Sequence, residues 1–82
     1  MPDTAQIKDA ARAVVQSIVR SPVKDTDPLI SSGLIDSLSI VNLVVAMEER
    51  LKVKLPLSEV QPDDFDTIEL IVETFARLSE PG

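Results

Sequence analysis

The chain contains no cysteine and no histidine. The first absence excludes a disulfide framework, a thiolate nucleophile and a thiol-ligated metal, and the second removes the commonest general base and another metal ligand. Tryptophan and tyrosine are missing too, and Phe65 and Phe75 are the only aromatics, so there is no stacking platform for bases. Positive charge is scarce: eight Lys and Arg against fourteen Asp and Glu leave a net charge of −6. That balance argues against nucleic acid and anionic membrane as partners and suits basic protein surfaces, although moderate acidity also serves solubility alone. Long hydrophobic runs are lacking, and the start, Met1-Pro2-Asp3-Thr4-Ala5-Gln6, has neither a basic region nor an apolar stretch. An integral membrane protein is therefore not expected, and a soluble cytoplasmic one is.

Residues 1–82 are expected to form one small domain, near the lower limit at which an aliphatic core alone sustains a fold. Asp3 or Thr4 can cap a first helix running to about Arg20, with Ile7, Ala11, Val14, Val15 and Ile18 on one face and Lys8, Asp9, Arg12 and Gln16 on the other. Pro22, Pro28 and Gly33 then break a long loop, which Leu29, Ile30, Leu34 and Ile35 can anchor by packing, and Gly33 allows a turn closed to other residues. A second helix is expected from Ser37 to Leu51 or Lys52. An extended segment, Lys52-Val53-Lys54-Leu55-Pro56, leaves it; Ser58 can cap a short turn through Val60, and Pro62-Asp63-Asp64-Phe65 reads as a second turn or a short irregular helix. Asp66 or Thr67 caps a last helix whose inward stripe is Ile68, Ile71, Val72, Phe75 and Leu78, and Pro81-Gly82 reads as a frayed end. The acidic cluster Asp63, Asp64 and Asp66 lacks the pattern of a calcium loop and reads as a solvated turn.

The loop turns into the most apolar segment of the chain at Gly33-Leu34-Ile35-Asp36-Ser37-Leu38. Asp36 is a favoured N-cap, which puts Ser37 at the first helical position. A phosphate attached to its hydroxyl would sit on the positive end of the helix dipole, among free N–H groups. Asp and Ser at a helix start are equally ordinary capping residues, and taken alone they leave the choice open. The second helix itself has more apolar residues than one core face requires. Ile40, Leu43, Val44, Met47 and Leu51 form one stripe; Leu38, Val41 and Val45 form another, rotated by roughly 140° at helical periodicity. Bordered by Asn42, Glu48 and Glu49, the second stripe suits either partner docking or packing under the preceding loop.

The order Gly, two apolar residues, Asp36-Ser37-Leu38, followed by Val41-Asn42-Leu43-Val44-Val45-Ala46-Met47-Glu48-Glu49 and continuing through Leu55-Pro56 into the last helix, resembles the acyl carrier protein family. The resemblance implies an all-α fold, a small four-helix bundle of three main helices and a short third one, in which Val60 and Phe65 help to wall the tethered group or, for Phe65, simply fill the core. It implies that Ser37 carries a covalent phosphopantetheine, and that Asp36 helps to engage magnesium-bound coenzyme A during priming while also serving as cap. The second helix is the family's main recognition element, which makes Leu38, Val41, Asn42, Val45, Glu48 and Glu49 the docking residues. The implied partners are a phosphopantetheinyl transferase, an acyl- or aminoacyl-activating ligase and downstream acyl-processing enzymes, with the chain itself a monomer and not an enzyme.

Two departures steer the reading within that family. Ser39 and Asn42 stand where many fatty-acid carriers have acidic residues, and Pro62-Asp63-Asp64-Phe65-Asp66-Thr67 looks more like stand-alone D-alanyl, aminoacyl and secondary-metabolite carriers. The expectation is a carrier serving a dedicated biosynthetic pathway. The alternatives are a D-alanyl carrier for cell-wall polymer modification and an unmodified helical adaptor that kept the carrier fold. A hydrolase built on Ser37 would need a base; there is no His, and no Lys has recognisable motif spacing to the serine.

Overall fold

The structure, a computed structural model, describes residues 3–81. In chain order it contains α1 (Thr4–Ile18), α2 (Ser37–Leu51), β1 (Val53–Lys54), two 3-10 turns (Leu57–Glu59 and Pro62–Phe65), α3 (Ile68–Leu78) and β2 (Glu80–Pro81). Each α-helix starts on the side chain the sequence offers for it. Asp3 accepts the Gln6 N–H while the Gln6 side chain accepts the Asp3 N–H, Asp36 accepts the Ser39 N–H, and Thr67 accepts the Leu70 N–H.

α1 lies against both α2 and α3, and the apolar stripes of all three face a single interior. Ile7, Ala10, Ala11, Val14 and Val15 from α1, Ile40, Leu43, Val44 and Met47 from α2, and Ile68, Ile71, Val72 and Phe75 from α3 are buried there. Of the loop residues expected to pack, Leu29 and Ile35 are buried and Ile30 partly so, whereas Leu34 remains 47 % exposed. Gly33 takes φ +84, the left-handed conformation for which glycine has no steric penalty.

Four features differ from the sequence reading. α1 ends at Ile18 rather than near Arg20, because Val19 turns extended (φ −101, ψ 118) and is buried, while the Gln16 amide donates to the carbonyls of Val19 and Ser21. The short third helix is two 3-10 turns instead of an α-helix. Pro62 forces Gln61 before it into extended backbone (φ −125, ψ 160), so no α-helical run can form across the segment. Among the described residues Ser58 caps nothing; Pro56 occupies the cap position of the first turn, and in the second the Gln61 N–H donates to Asp64 Oδ2. Pro81 is not frayed: β2 pairs antiparallel with β1, Val53 opposite Pro81 and Lys54 opposite Glu80, which adds a small sheet to an otherwise helical fold. Gly82, the other half of that expectation, lies outside the described residues. Phe65 belongs to the core, at 2 % exposure.

Lys52 ends α2 in the left-handed region at φ 56 and ψ 47. A side chain there costs energy that glycine avoids, and glycine in turn loses more freedom on folding. Lys52→Gly is therefore expected to raise stability by about 0.5–1 kcal/mol, read as a higher urea midpoint with an unchanged denaturant slope.

Candidate functional site

Ser37 is the first residue of α2 and is exposed to solvent. Among the described residues its hydroxyl makes no hydrogen bond, so the oxygen is free to react. The Ile40 N–H reaches the Asp36 carbonyl and the Ser39 N–H reaches Asp36 Oδ1 at 2.8 Å. The N–H groups of Ser37 and Leu38 stay at the open end of a fifteen-residue helix, where partial positive charge collects. The first turn of α2 contains no acidic residue to cancel that charge beyond the cap itself. A phosphoester on Ser37 fits this position: room in solvent and a favourable dipole.

Asp36 is exposed as well, and its carboxyl is held below the usual carboxylate range chiefly by the Ser39 backbone N–H. It is an anion at neutral pH, adjacent to the serine.

The two stripes of α2 separate as the periodicity requires. Ile40, Leu43, Val44 and Met47 are inside, with Leu51 partly so, while Leu38, Val41 and Val45 are 81 %, 52 % and 47 % exposed. The preceding loop therefore does not cover the second stripe, and Leu34 adds to the exposed apolar surface three residues ahead of Ser37. Asn42 and Glu49 are exposed beside it. Glu48 is different: it is half-buried, and its Oε2 accepts the Leu55 N–H at 2.8 Å, so this carboxylate fastens the segment after α2. Val60 is half-buried and packs on the core's edge.

One residue was misread by its local context. Asp66 reads in sequence as a possible cap for α3, but Thr67 fills that place, and the Asp66 carboxylate points across the molecule to the loop before Ser37. Its Oδ1 accepts the N–H groups of Ile30 and Ser31 at 2.8 and 2.9 Å, and its Oδ2 accepts the Ser31 hydroxyl at 3.0 Å. Ser31 and then Ile30 hold its carboxyl below the ordinary range. A separation of 35 residues gives no local signal that could have announced this.

A third carboxylate stabilises the other end of the same loop. Asp25 is bridged by Lys8 at 2.9 Å and Arg12 at 3.2 Å, and the Lys8 bond, with Arg12 adding to it, lowers its pKa. Asp25, Asp36 and Asp66 thus all have folded-state values below those of the unfolded chain. Their stabilisation is complete above the ordinary carboxylate pKa of about 3.9 and is lost as pH falls through the lowered folded values. Thermal midpoints recorded from neutral pH downward should hold nearly level and then drop below about pH 4. Added salt should weaken the contribution of Asp25, whose partners Lys8 and Arg12 are exposed, while sparing the two aspartates that accept from backbone N–H groups.

Among the described residues no group of acidic side chains is arranged to hold a metal ion, and no helix is long and apolar enough to cross a membrane. A surface groove of about 650 Å³ runs between Gln6, Asp9 and Ala10 of α1 and Arg50, Leu51 and Lys52, at the opposite end of α2 from Ser37.

The family model described as a phosphopantetheine attachment site matches residues 6–75, which run from within α1 to within α3. The D-alanyl carrier protein of Streptococcus uberis is 42 % identical over 58 residues, 71 % of this chain and 72 % of that protein. That of Streptococcus sanguinis is 31 % identical over 74 residues, 88 % of this chain and 94 % of the relative. That of Streptococcus pyogenes serotype M5 is 40 % identical over 58 residues, again 71 % and 72 %. With a matched span that takes in the exposed serine at the head of α2, the chain belongs to the phosphopantetheine-binding carrier protein family.

Proposed function

We propose that Ser37 is the residue that carries phosphopantetheine and that the cargo is an aminoacyl group, D-alanyl being the first candidate. The observation that carries the site is an exposed, unbonded hydroxyl on the first position of α2, directly after a capping aspartate. The cargo reading rests on the relatives, each named for D-alanyl, and on their near full-length match in the case of the Streptococcus sanguinis protein.

A phosphopantetheinyl transferase would move the group from coenzyme A to Ser37 Oγ, the new Oγ–P bond replacing the pyrophosphate P–O bond so that 3′,5′-ADP leaves and the serine proton passes to solvent, with Asp36 beside it to engage the magnesium-bound donor. Once attached, phosphopantetheine supplies the thiol that a chain without cysteine lacks, and the cargo is held there as a thioester. This chain's own residues orient and present. The N–H groups of Ser37 and Leu38 and the dipole of α2 favour the phosphate charge. Leu38, Val41 and Val45, with Asn42 and Glu49 at their border, offer each partner a small apolar patch of the kind that supports exchangeable contacts. Glu48 sits on the same border, but its structural bond to Leu55 limits what it offers a partner. No catalytic step is assigned to the chain, which works as a monomer in the cytoplasm with a D-alanine-activating ligase and downstream acyl-processing enzymes.

The test is direct. Purified chain is incubated with coenzyme A, magnesium and a broad-specificity phosphopantetheinyl transferase and weighed intact; one added arm is expected. No addition, under conditions that modify a control carrier, would favour an unmodified adaptor using the Leu38–Val41–Val45 strip. The loaded chain is then offered D-alanine and competing acids with ATP and a cognate ligase, and preference for another acid would overturn the cargo.

A further inference from the structure

The segment from Leu29 to Ser37 is tied to the start of α3 by an unbroken series of hydrogen bonds. Three successive N–H groups converge on one residue: Leu29 donates to the Asp66 carbonyl, and Ile30 and Ser31 donate to Asp66 Oδ1. The Ser31 hydroxyl adds a bond to Oδ2 at 3.0 Å. Leu29 passes the restraint on, because its own carbonyl accepts the Ile35 N–H at 2.9 Å, and the Gly33 N–H reaches the Ile30 carbonyl at 3.0 Å. Ile35 is buried at 2 % exposure and immediately precedes Asp36. The cap of α2, and with it Ser37, therefore hangs from a loop whose anchor is Asp66.

We propose that Asp66 is a positioning residue for the modification of Ser37: its carboxylate, through the Ile30 and Ser31 N–H groups, sets the loop beside the Leu29–Ile35 bond so that Asp36 caps α2 and the serine is presented to the priming enzyme, while the Leu29 bond to the Asp66 carbonyl is backbone and persists in every Asp66 variant. This rests on the reading of Ser37 as the attachment site. Asp66 touches neither the serine nor the donor. Local burial does not require a carboxylate at this place: Phe65 and Ile68 on either side fill the core, and Thr67 caps α3. What Asp66 alone supplies is an acceptor for consecutive loop N–H groups, which would otherwise compete for water and allow other loop arrangements. If the presenting arrangement is only partly populated, the apparent affinity for a partner falls by that fraction, so the effect should appear in KM more than in kcat.

The full chain is compared with Asp66→Ala, Asp66→Asn and Ala13→Gly in steady-state priming, at a temperature where all remain folded. Asp66→Ala should lose roughly 3- to 30-fold in kcat/KM, the span found for residues along connected networks, mostly through a higher KM. Asp66→Asn keeps an oxygen for the Ile30 and Ser31 N–H groups and should recover to within about twofold of wild type. Ala13→Gly weakens exposed α1 through helix propensity alone and should prime like wild type. The proposal is overturned if Asp66→Ala primes as well as wild type, if Ala13→Gly loses as much, or if Asp66→Asn is no better than alanine. Backbone amide spectra of the unprimed chain give a readout that needs no transferase. In Asp66→Ala the signals of Ile30 and Ser31 should move, and those of Ile35 and Ser39 with them; changes that stop at Ser31 would refute the relay. Failure of wild type to accept the arm would instead strike at Ser37 itself, while these amide shifts would still report on the relay.

Discussion

Ser37→Ala is expected to bring phosphopantetheine attachment to zero while leaving the fold as stable as before. The position is exposed, its hydroxyl has no partner among the described residues, and alanine is a better helix former than serine at the start of α2. A surface change of this kind stays within about 0.5 kcal/mol, which for a domain of this size moves the thermal midpoint by only about 2–4 °C. Intact mass after incubation with coenzyme A and transferase, beside a melting curve, gives both answers in one preparation. The pairing is what makes the result informative. Loss of modification with an unchanged melt identifies the oxygen that is missing, whereas loss accompanied by unfolding would say nothing about chemistry. An added arm that persisted in the alanine variant would move attachment to another serine, such as Ser31, Ser32 or Ser39.

The second large effect is expected from Phe65→Ala. Phe65 is 2 % exposed and sits on a 3-10 turn, which lacks the regular hydrogen-bond ladder that would hold it in place without its side chain. That turn lies against both α2 and α3, two helices that make no close backbone approach to each other among the described residues. A further tie, from the buried Thr74 hydroxyl to the Asp64 carbonyl at 3.2 Å, secures it to α3. Emptying the aromatic volume should cost about 3–5 kcal/mol, from lost transfer energy and the cavity left behind. Against a total of about 4–12 kcal/mol for a chain this long, much or all of the stability disappears. Urea titration followed by circular dichroism measures it; a loss below about 1 kcal/mol would mean that the neighbouring helices close over the gap.

What could be read from sequence was whatever is decided within a turn or two of chain. Asp3, Asp36 and Thr67 cap helices because the side chain needed lies two or three residues from the N–H it accepts. The twin stripes of α2 are visible because helical spacing fixes which residues share a side. Gly33 signals its own positive φ. The unread features all depend on partners far along the chain or on the competition between weak local choices. Nothing in Val53–Lys54 names Glu80–Pro81 as its mate, and nothing beside Asp66 points to Ile30 and Ser31. The segment between Leu55 and Phe65, by contrast, was legible as short turns, because its two prolines stop an α-helix there. At the candidate site the same division holds: Ser37 and Asp36 were legible as neighbours in one cap, while the support beneath them was not.

The pairing of Pro81 with Val53 has a practical consequence for anyone handling the molecule. Because Val53 follows the last turn of α2, Glu80 and Pro81 are stapled about 20 Å along that helix from Ser37, given a rise of 1.5 Å per residue. A fluorophore, affinity handle or resin linkage joined after Pro81 would emerge at the far pole, leaving the serine and its leucine–valine surroundings unobstructed. Immobilised that way, every copy would present Ser37 to solution in the same orientation.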